Sequence, residues 1–236
     1  MKVDILESYT SMSEKASGII LNEIAGNRDL LLCAATGNTP VGVYEFLAKA
    51  YPQQSELFAN VNVLKLDEWG GLEMNDPATC EFFLQTHLIQ PLQIDASRYI
   101  SFNSNPANPT LECKRIQDEL AARGPVDICI LGLGLNGHIA LNEPADALEP
   151  GPHVAKLSSK SIQHSMLSGV RKKPNFGLTL GIADILQSKM VLMLISGNEK
   201  KEITRLFLTG KVSTRLPASF LWIHPNVICL ISRDAM

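Results

Sequence analysis

The sequence predicts a single-domain α/β protein: a doubly wound, mostly parallel sheet with helices on both faces. Three observations carry this. Short, nearly continuous apolar runs alternate with segments of helical period, the pattern of strands covered on both faces and joined by crossover helices. The 236 residues hold no Pro/Gly/Ser-rich linker, low-complexity tract or solenoid repeat, and single domains of this length are common among α/β proteins. With 45% apolar and 19% charged residues, the chain can bury a sizeable core and lacks the makeup of a disordered one.

In order, the strands read as Leu30–Ala35, Val61–Leu66, Asp127–Leu133, Met190–Ile195 and Val227–Ile231. Ahead of the first, Ser11-Met12-Ser13-Glu14 fits a capping box before Ile19, Ile20 and Ile24. After it, Pro40 suits the first turn of a helix with Val41, Tyr44 and Leu47 on one face. Glu112–Ala122 and Glu199–Leu208 complete the helical set. The segment at about 149–175 breaks the pattern with Gly151, Pro152, Gly169, Pro174, several serines and the cluster Arg171-Lys172-Lys173. It reads equally as a lid over a site or as a plain surface excursion.

Composition narrows the partners. A net charge of −3 argues against a general nucleic-acid binder, which needs a basic face, but leaves room for a small anion. No apolar run approaches the ~20 residues of a membrane span. The N-terminus lacks the basic start, apolar middle and small-residue cleavage site of a signal peptide. A cytoplasmic protein with no membrane or nucleic-acid partner is expected, and a homo-oligomer is compatible with the sequence. Five cysteines, an odd count with no CxxC, indicate neither a disulfide framework nor a zinc ribbon. Cys33, Cys129 and Cys229 lie in apolar runs and read as small buried hydrophobes.

Ligands of open α/β sheets bind outside the carboxyl ends of the strands, and four of the five ends carry reactive or anion-binding residues. The first is Thr36-Gly37-Asn38-Thr39-Pro40, a glycine turn with hydroxyls and an amide directly before a helix. Helix starts of this kind bind phosphate, although an ordinary N-cap turn has the same look. The second is Asp67-Glu68 before Trp69. Both carboxylates cannot face the core without a large desolvation cost, so the pair is either solvated or supplies a general base to a cleft.

The third is Gly132-Leu133-Gly134-Leu135-Asn136-Gly137-His138, running on to Glu143-Pro144. Here an imidazole able to exchange protons near neutrality sits between Asn136 and Glu143 in a glycine-rich loop. No metal is expected: HExxH is absent and no second His lies close in sequence. The fourth is Ser196-Gly197-Asn198-Glu199-Lys200. A cation in the first turn of a helix opposes the dipole, unless it serves a bound anion. Together these ends offer a phosphate cradle, a base, an acid/base and a lysine. That set suits proton transfer on a phosphorylated sugar without an organic cofactor.

These same stretches, Thr36–Pro40, Leu66–Trp69, Gly137–Pro144 and Gly197–Lys200, resemble the glucosamine-6-phosphate deaminases in order and spacing, from about Leu30 to the C-terminus. The related 6-phosphogluconolactonases carry an Arg where Trp69 stands and lack the Asn-Glu-Pro ending. LGLGLNGH with Asn136, LKLDEW, and the tail Lys211–Thr214 with Pro217–Trp222 bring the likeness nearer to galactosamine-6-phosphate isomerases.

The resemblance implies conversion of galactosamine 6-phosphate and water to tagatose 6-phosphate and ammonia. It implies Asp67 as the base that moves a proton between C2 and C1. It gives ring opening to His138 with Glu143 and Asn136, and the substrate to Thr36, Gly37, Asn38, Thr39, Glu68, Gly137 and Lys200. Two departures stand out: Asn136 replaces an aspartate, and His164 or the Arg171–Lys173 cluster occupies the place of a phosphate-binding arginine. A glucosamine-type deaminase, a lactonase and a non-catalytic sugar-phosphate sensor are the alternatives.

Overall fold

The computed structural model describes residues 1–162, 165–167 and 173–236. In chain order the strands are β1 (Lys2–Leu6), β2 (Leu31–Ala34), β3 (Asn62–Lys65), β4 (Asp67–Gly70), β5 (Tyr99–Ile100), β6 (Ile128–Gly132), β7 (His153–Ala155), β8 (Phe176–Thr179), β9 (Met190–Ile195) and β10 (Val227–Ser232). The helices are α1 (Tyr9–Gly26), α2 (Asn38–Gln54), α3 (Cys80–Leu84), α4 (Pro109–Arg123), α5 (Ser159–Ile162), α6 (Ile182–Leu186) and α7 (Lys201–Phe207).

Seven parallel strands form the central sheet in the order β1-β10-β9-β6-β2-β3-β5. From β2 the chain builds outward through β3 to β5; from β6 it builds the other way through β9 to β10. β2 and β6 are neighbours, so the topological switch point, where such sheets bind ligands, lies between the first and third of the predicted motifs.

The five strands read from the sequence are all in this sheet, with ends within one residue or so of expectation. Their interior residues are almost wholly buried, among them Leu32, Cys33, Val63, Ile130 and Val191. Burial on both faces is why these runs carry no alternation. α1 lays Met12, Ala16, Ile20 and Ile24 into the core. Their four-residue spacing keeps them on one face, and each large side chain contributes roughly 1.5–3 kcal/mol.

One expectation is corrected. The capping box of α1 is Ser8 with Ser11, not Ser11 with Glu14: Ser8 Oγ accepts from Ser11 N at 3.1 Å, and Ser8 N donates to Ser11 Oγ at 3.0 Å. Within the segment at about 149–175, His153–Ala155 form β7. That strand belongs to a second, antiparallel sheet of order β4-β8-β7. This small sheet stands beside the carboxyl end of β3 and holds Asp67 opposite Thr179.

Candidate active site

A cavity of about 1380 Å³ opens over the switch point, and Thr36, Thr39, Asp67, Asn136, His138 and Lys200 are among the residues lining it. Residues from all four strand-end motifs therefore meet in one space.

The turn after β2 passes through Gly37 at φ 97°, and α2 begins at Asn38 with no side chain capping it. Uncapped first-turn N–H groups and the helix dipole favour an anion there. Tyr9 steadies this start: its hydroxyl donates to Asn38 O at 2.9 Å and accepts from Gly42 N at 2.7 Å. Thr39 Oγ1 receives Ser196 Oγ at 3.3 Å and Lys200 Nζ at 3.4 Å. Burial lowers the pKa of Lys200, against the opposing pull of Glu199. Among the described residues no carboxylate lies within ion-pair distance of Lys200. A partly buried cation beside hydroxyls and an open helix start has the chemistry to hold an anion.

Asp67 is 9% exposed and lines the cavity. Burial raises its pKa to about 7 and Glu68 adds to the rise, while Lys65 and a hydrogen bond from Cys80 oppose it. A carboxylate with that affinity is matched to proton transfer at neutral pH.

Glu68 corrects the sequence reading. Expected on the substrate, it instead turns inward and is fully buried. Its carboxylate accepts from Lys65 Nζ at 2.7 Å, Trp69 N at 2.7 Å, Cys80 N at 2.8 Å and Glu81 N at 2.8 Å. The adjacent carboxylates do both leave bulk water; Lys65, which also reaches Glu81 at 2.8 Å, offsets the cost for Glu68, whereas for Asp67 burial prevails. Burial alone would lower the pKa of Lys65; Glu68 and Glu81 outweigh it and raise it.

On the other side of the switch point, the loop after β6 carries a relay. His138 Nδ1 lies 2.7 Å from Asn136 Oδ1, and Asn136 Nδ2 lies 2.7 Å from Glu143 Oε2. Burial opposes ionisation of Glu143. Bonds from Ser161, Asn136 and Ser158 and the nearby His138 overcome it and hold the carboxyl below its ordinary pKa. An ionised carboxylate only accepts hydrogen bonds, so the Asn136 amide turns its nitrogen to Glu143 and its oxygen to His138. His138 Nδ1 then carries the proton toward Asn136 Oδ1, and Nε2 is the acceptor nitrogen of the neutral ring.

Gly134 makes room for this ring, since a Cβ there would collide with the His138 imidazole. Gly137 is not on the cavity. It turns the loop at φ 86°, and a Cβ would strike Leu216. It too is corrected, from a substrate contact to a turn residue.

His164, Arg171 and Lys172 lie outside the described residues. Sequence reasoning missed Lys65, Cys80, Ser158 and Ser161. A lysine within the apolar run Val61–Leu66, three residues before Glu68, was a legible sign of a buried ion pair. The two serines had no comparable sign: Ser161 Oγ and Ser158 N reach Glu143 only through the tertiary fold.

Comparisons with known proteins show the family. The family model described as glucosamine-6-phosphate isomerases/6-phosphogluconolactonase matches residues 7–229. The chain is 44% identical over 227 residues to AgaI of Escherichia coli (strain K12), a protein named a deaminase by inference; the match covers 96% of this chain and 90% of that protein. It is 35% identical to glucosamine-6-phosphate deaminase 1 of Bacillus subtilis (strain 168), covering 100% and 98%. A solved monomeric glucosamine-6-phosphate deaminase superposes with a TM-score of 0.93 at 35% identity, covering 100% and 98%. The 6-phosphogluconolactonase of Trypanosoma brucei, at 19% identity and a TM-score of 0.76 over 99% and 97%, shares the fold. Residues 7–229, which include every strand-end motif, thus place this chain in the glucosamine-6-phosphate isomerase/6-phosphogluconolactonase family.

Proposed function

We propose that this protein is a hexosamine-6-phosphate deaminase whose substrate is galactosamine 6-phosphate. The observation that carries the reading is one cavity with three fittings: a carboxylate near pKa 7, an imidazole of fixed tautomer, and a partly buried lysine at an open helix start. The lysine, Thr36, Asn38 and Thr39 hold the 6-phosphate. His138, through Nε2, exchanges the proton needed to open the sugar ring. Asp67 takes the C2 proton and returns it to C1, which turns the C2 amine into an imine. Water adds at C2 and ammonia leaves, so one water is consumed for each ammonia released. All of this is acid–base chemistry, within reach of the side chains present.

One observation supports the galactosamine epimer: the LGLGLNGH and LKLDEW stretches with the Pro217–Trp222 tail, which resemble the galactosamine-type members of the family. The test is ammonia release from galactosamine 6-phosphate and glucosamine 6-phosphate side by side, with 6-phosphogluconolactone hydrolysis as a control. A higher kcat/KM for the galactosamine compound is expected. The reverse preference assigns the glucosamine reaction instead, and lactone hydrolysis without ammonia release overturns the deaminase reading.

Asn136 gives a second expected result. Asn136→Asp replaces a donor by an acceptor opposite Glu143 and puts a negative charge beside His138. The apparent pKa in the pH profile of kcat/KM should rise by about 1–3 units, the usual effect of a close opposite charge. Superimposable profiles from two folded, active proteins would show that Asn136 is not coupled to the titrating group.

A further inference from the structure

We propose that Cys80 is a positioning residue for Asp67, its thiol tying the carboxylate to Thr36 of the phosphate turn. The proposal rests on the reading of Asp67 as the proton-carrying base. Cys80 opens α3 and is 1% exposed. Thr36 Oγ1 donates to Cys80 Sγ at 3.3 Å, and Sγ donates to Asp67 Oδ1 at 3.8 Å. A hydroxyl and a thiol have one proton each, so the chain runs in one direction, from Thr36 through Cys80 to the carboxylate.

The thiol has little freedom to swing away. Cys80 N and Glu81 N both donate to Glu68, at 2.8 Å each, and the Thr79 hydroxyl caps the helix by accepting from Phe82 N at 3.0 Å. The backbone that carries Sγ is therefore fastened to the strand that carries Asp67. One carboxylate oxygen is held, and the other remains for the substrate.

Cys80 is not itself a nucleophile. Burial, Glu68 and Asp67 push its pKa well above the ordinary thiol range, so it stays protonated and can only donate. The other groups that bear on Asp67 are few. Glu68 raises its pKa and Lys65 lowers it, and these two are paired with each other at 2.7 Å. Cys33 and Tyr44, which feel the Asp67 charge, are kept neutral chiefly by burial.

A thiol is a weak donor. It can set the angle of the carboxylate without stripping its basicity, which a hydroxyl or amide would do more strongly. A base that needs both a fixed direction and a pKa near neutrality is served by such a donor.

The experiment compares Cys80→Ala, which has no donor, with Cys80→Ser, which has a stronger one in nearly the same volume. The readouts are kcat and KM for the hexosamine phosphate across pH, and the 13C carboxyl titration of Asp67 in the substrate-free protein. Removing the donor should move the acidic limb to higher pH, and strengthening it should move the limb to lower pH. Each displacement should be roughly 0.5–1 pH unit, below the 1–3 of a full charge.

Cys80→Ala should also lose about tenfold in kcat, less than the 10²-fold that a 1 Å misplacement can cost, with KM within about twofold. Cys80→Ser should recover most of that loss. Limbs that stay put in both variants, or that move the same way, overturn the proposal. If Cys80→Ala does not fold, the downward shift in Cys80→Ser and in its Asp67 titration decides. Because the carboxyl titration needs no substrate, a failed deaminase assay would not be mistaken for a failed Cys80 assignment.

Discussion

Asp67→Asn should lose about 10²–10⁴-fold in turnover, the usual worth of a general base, and should at the same time stabilise the protein above pH 7. The native Asp67 keeps its proton up to about pH 7, whereas an unfolded aspartate releases it near 3.8. Between those values the folded state binds more protons than the unfolded state. Stability therefore falls as pH rises through this window, and the full deficit is present above pH 7.

A proton affinity raised by about a thousandfold corresponds to at most about 4 kcal/mol. Asp67 borders an open cavity, so the expected gain for Asn is about 2 kcal/mol. Melting at pH 5 and pH 8 reads the effect: the variant's advantage should be larger at pH 8. Equal advantages at both pH values would mean that Asp67 carries no buried charge, and wild-type turnover would remove it as the base.

Lys65→Met should be the most damaging single change to the fold. It removes the cation shared by two buried carboxylates, Glu68 and Glu81. Breaking a buried pair on one side costs about 3–5 kcal/mol, because the partner charge is left uncompensated. For a chain of this length that is a fall of about 10–15 °C in Tm.

The loss should shrink in acid. Glu81 is held below its ordinary value of 4.5, burial being outweighed by Lys65, so its contribution is present above pH 4.5 and disappears as pH drops through the folded pKa. Lys65→Met combined with Glu68→Gln should regain part of the stability, since the most deeply buried anion is then gone. A Lys65→Met protein as stable as the wild type at pH 7 would contradict the buried ion-pair account.

The parallel core was readable because buried strands announce themselves locally, as in Met190–Ile195, where the run read from the sequence and β9 coincide. The small sheet was not readable. β4 is four residues long and pairs with Phe176–Thr179, more than a hundred positions away, so nothing near Asp67-Glu68-Trp69-Gly70 advertises a strand. The start of α1 failed for a different reason. Ser8 and Ser11 both satisfy the local rule for a cap, and what favours Tyr9 as the first helical residue is the reach of its phenol to α2.

The site was legible as chemistry, through Asp67, His138, Glu143 and Lys200, and illegible as orientation. Glu68 follows Asp67 directly, and it is Lys65 with the N–H groups of Trp69, Cys80 and Glu81 that draws Glu68 to the interior while Asp67 faces the cavity. The Asn136 amide likewise takes its direction from Glu143, seven residues on.

One buried threonine has a wider reach than its size suggests. Thr179 stands in register with Asp67 across the small sheet, and its hydroxyl accepts from Leu141 N at 3.1 Å, on the loop that runs on from His138. The two halves of the proton chemistry thus share one anchor, a strand residue whose backbone pairs with Asp67 and whose hydroxyl holds the loop that follows His138. Substitutions on the solvent faces of the outer helices can then alter solubility, melting or surface charge with little effect on the spacing of base and imidazole. A scaffold gauged in this way can be re-dressed for new cellular settings without its reactive parts being recalibrated each time.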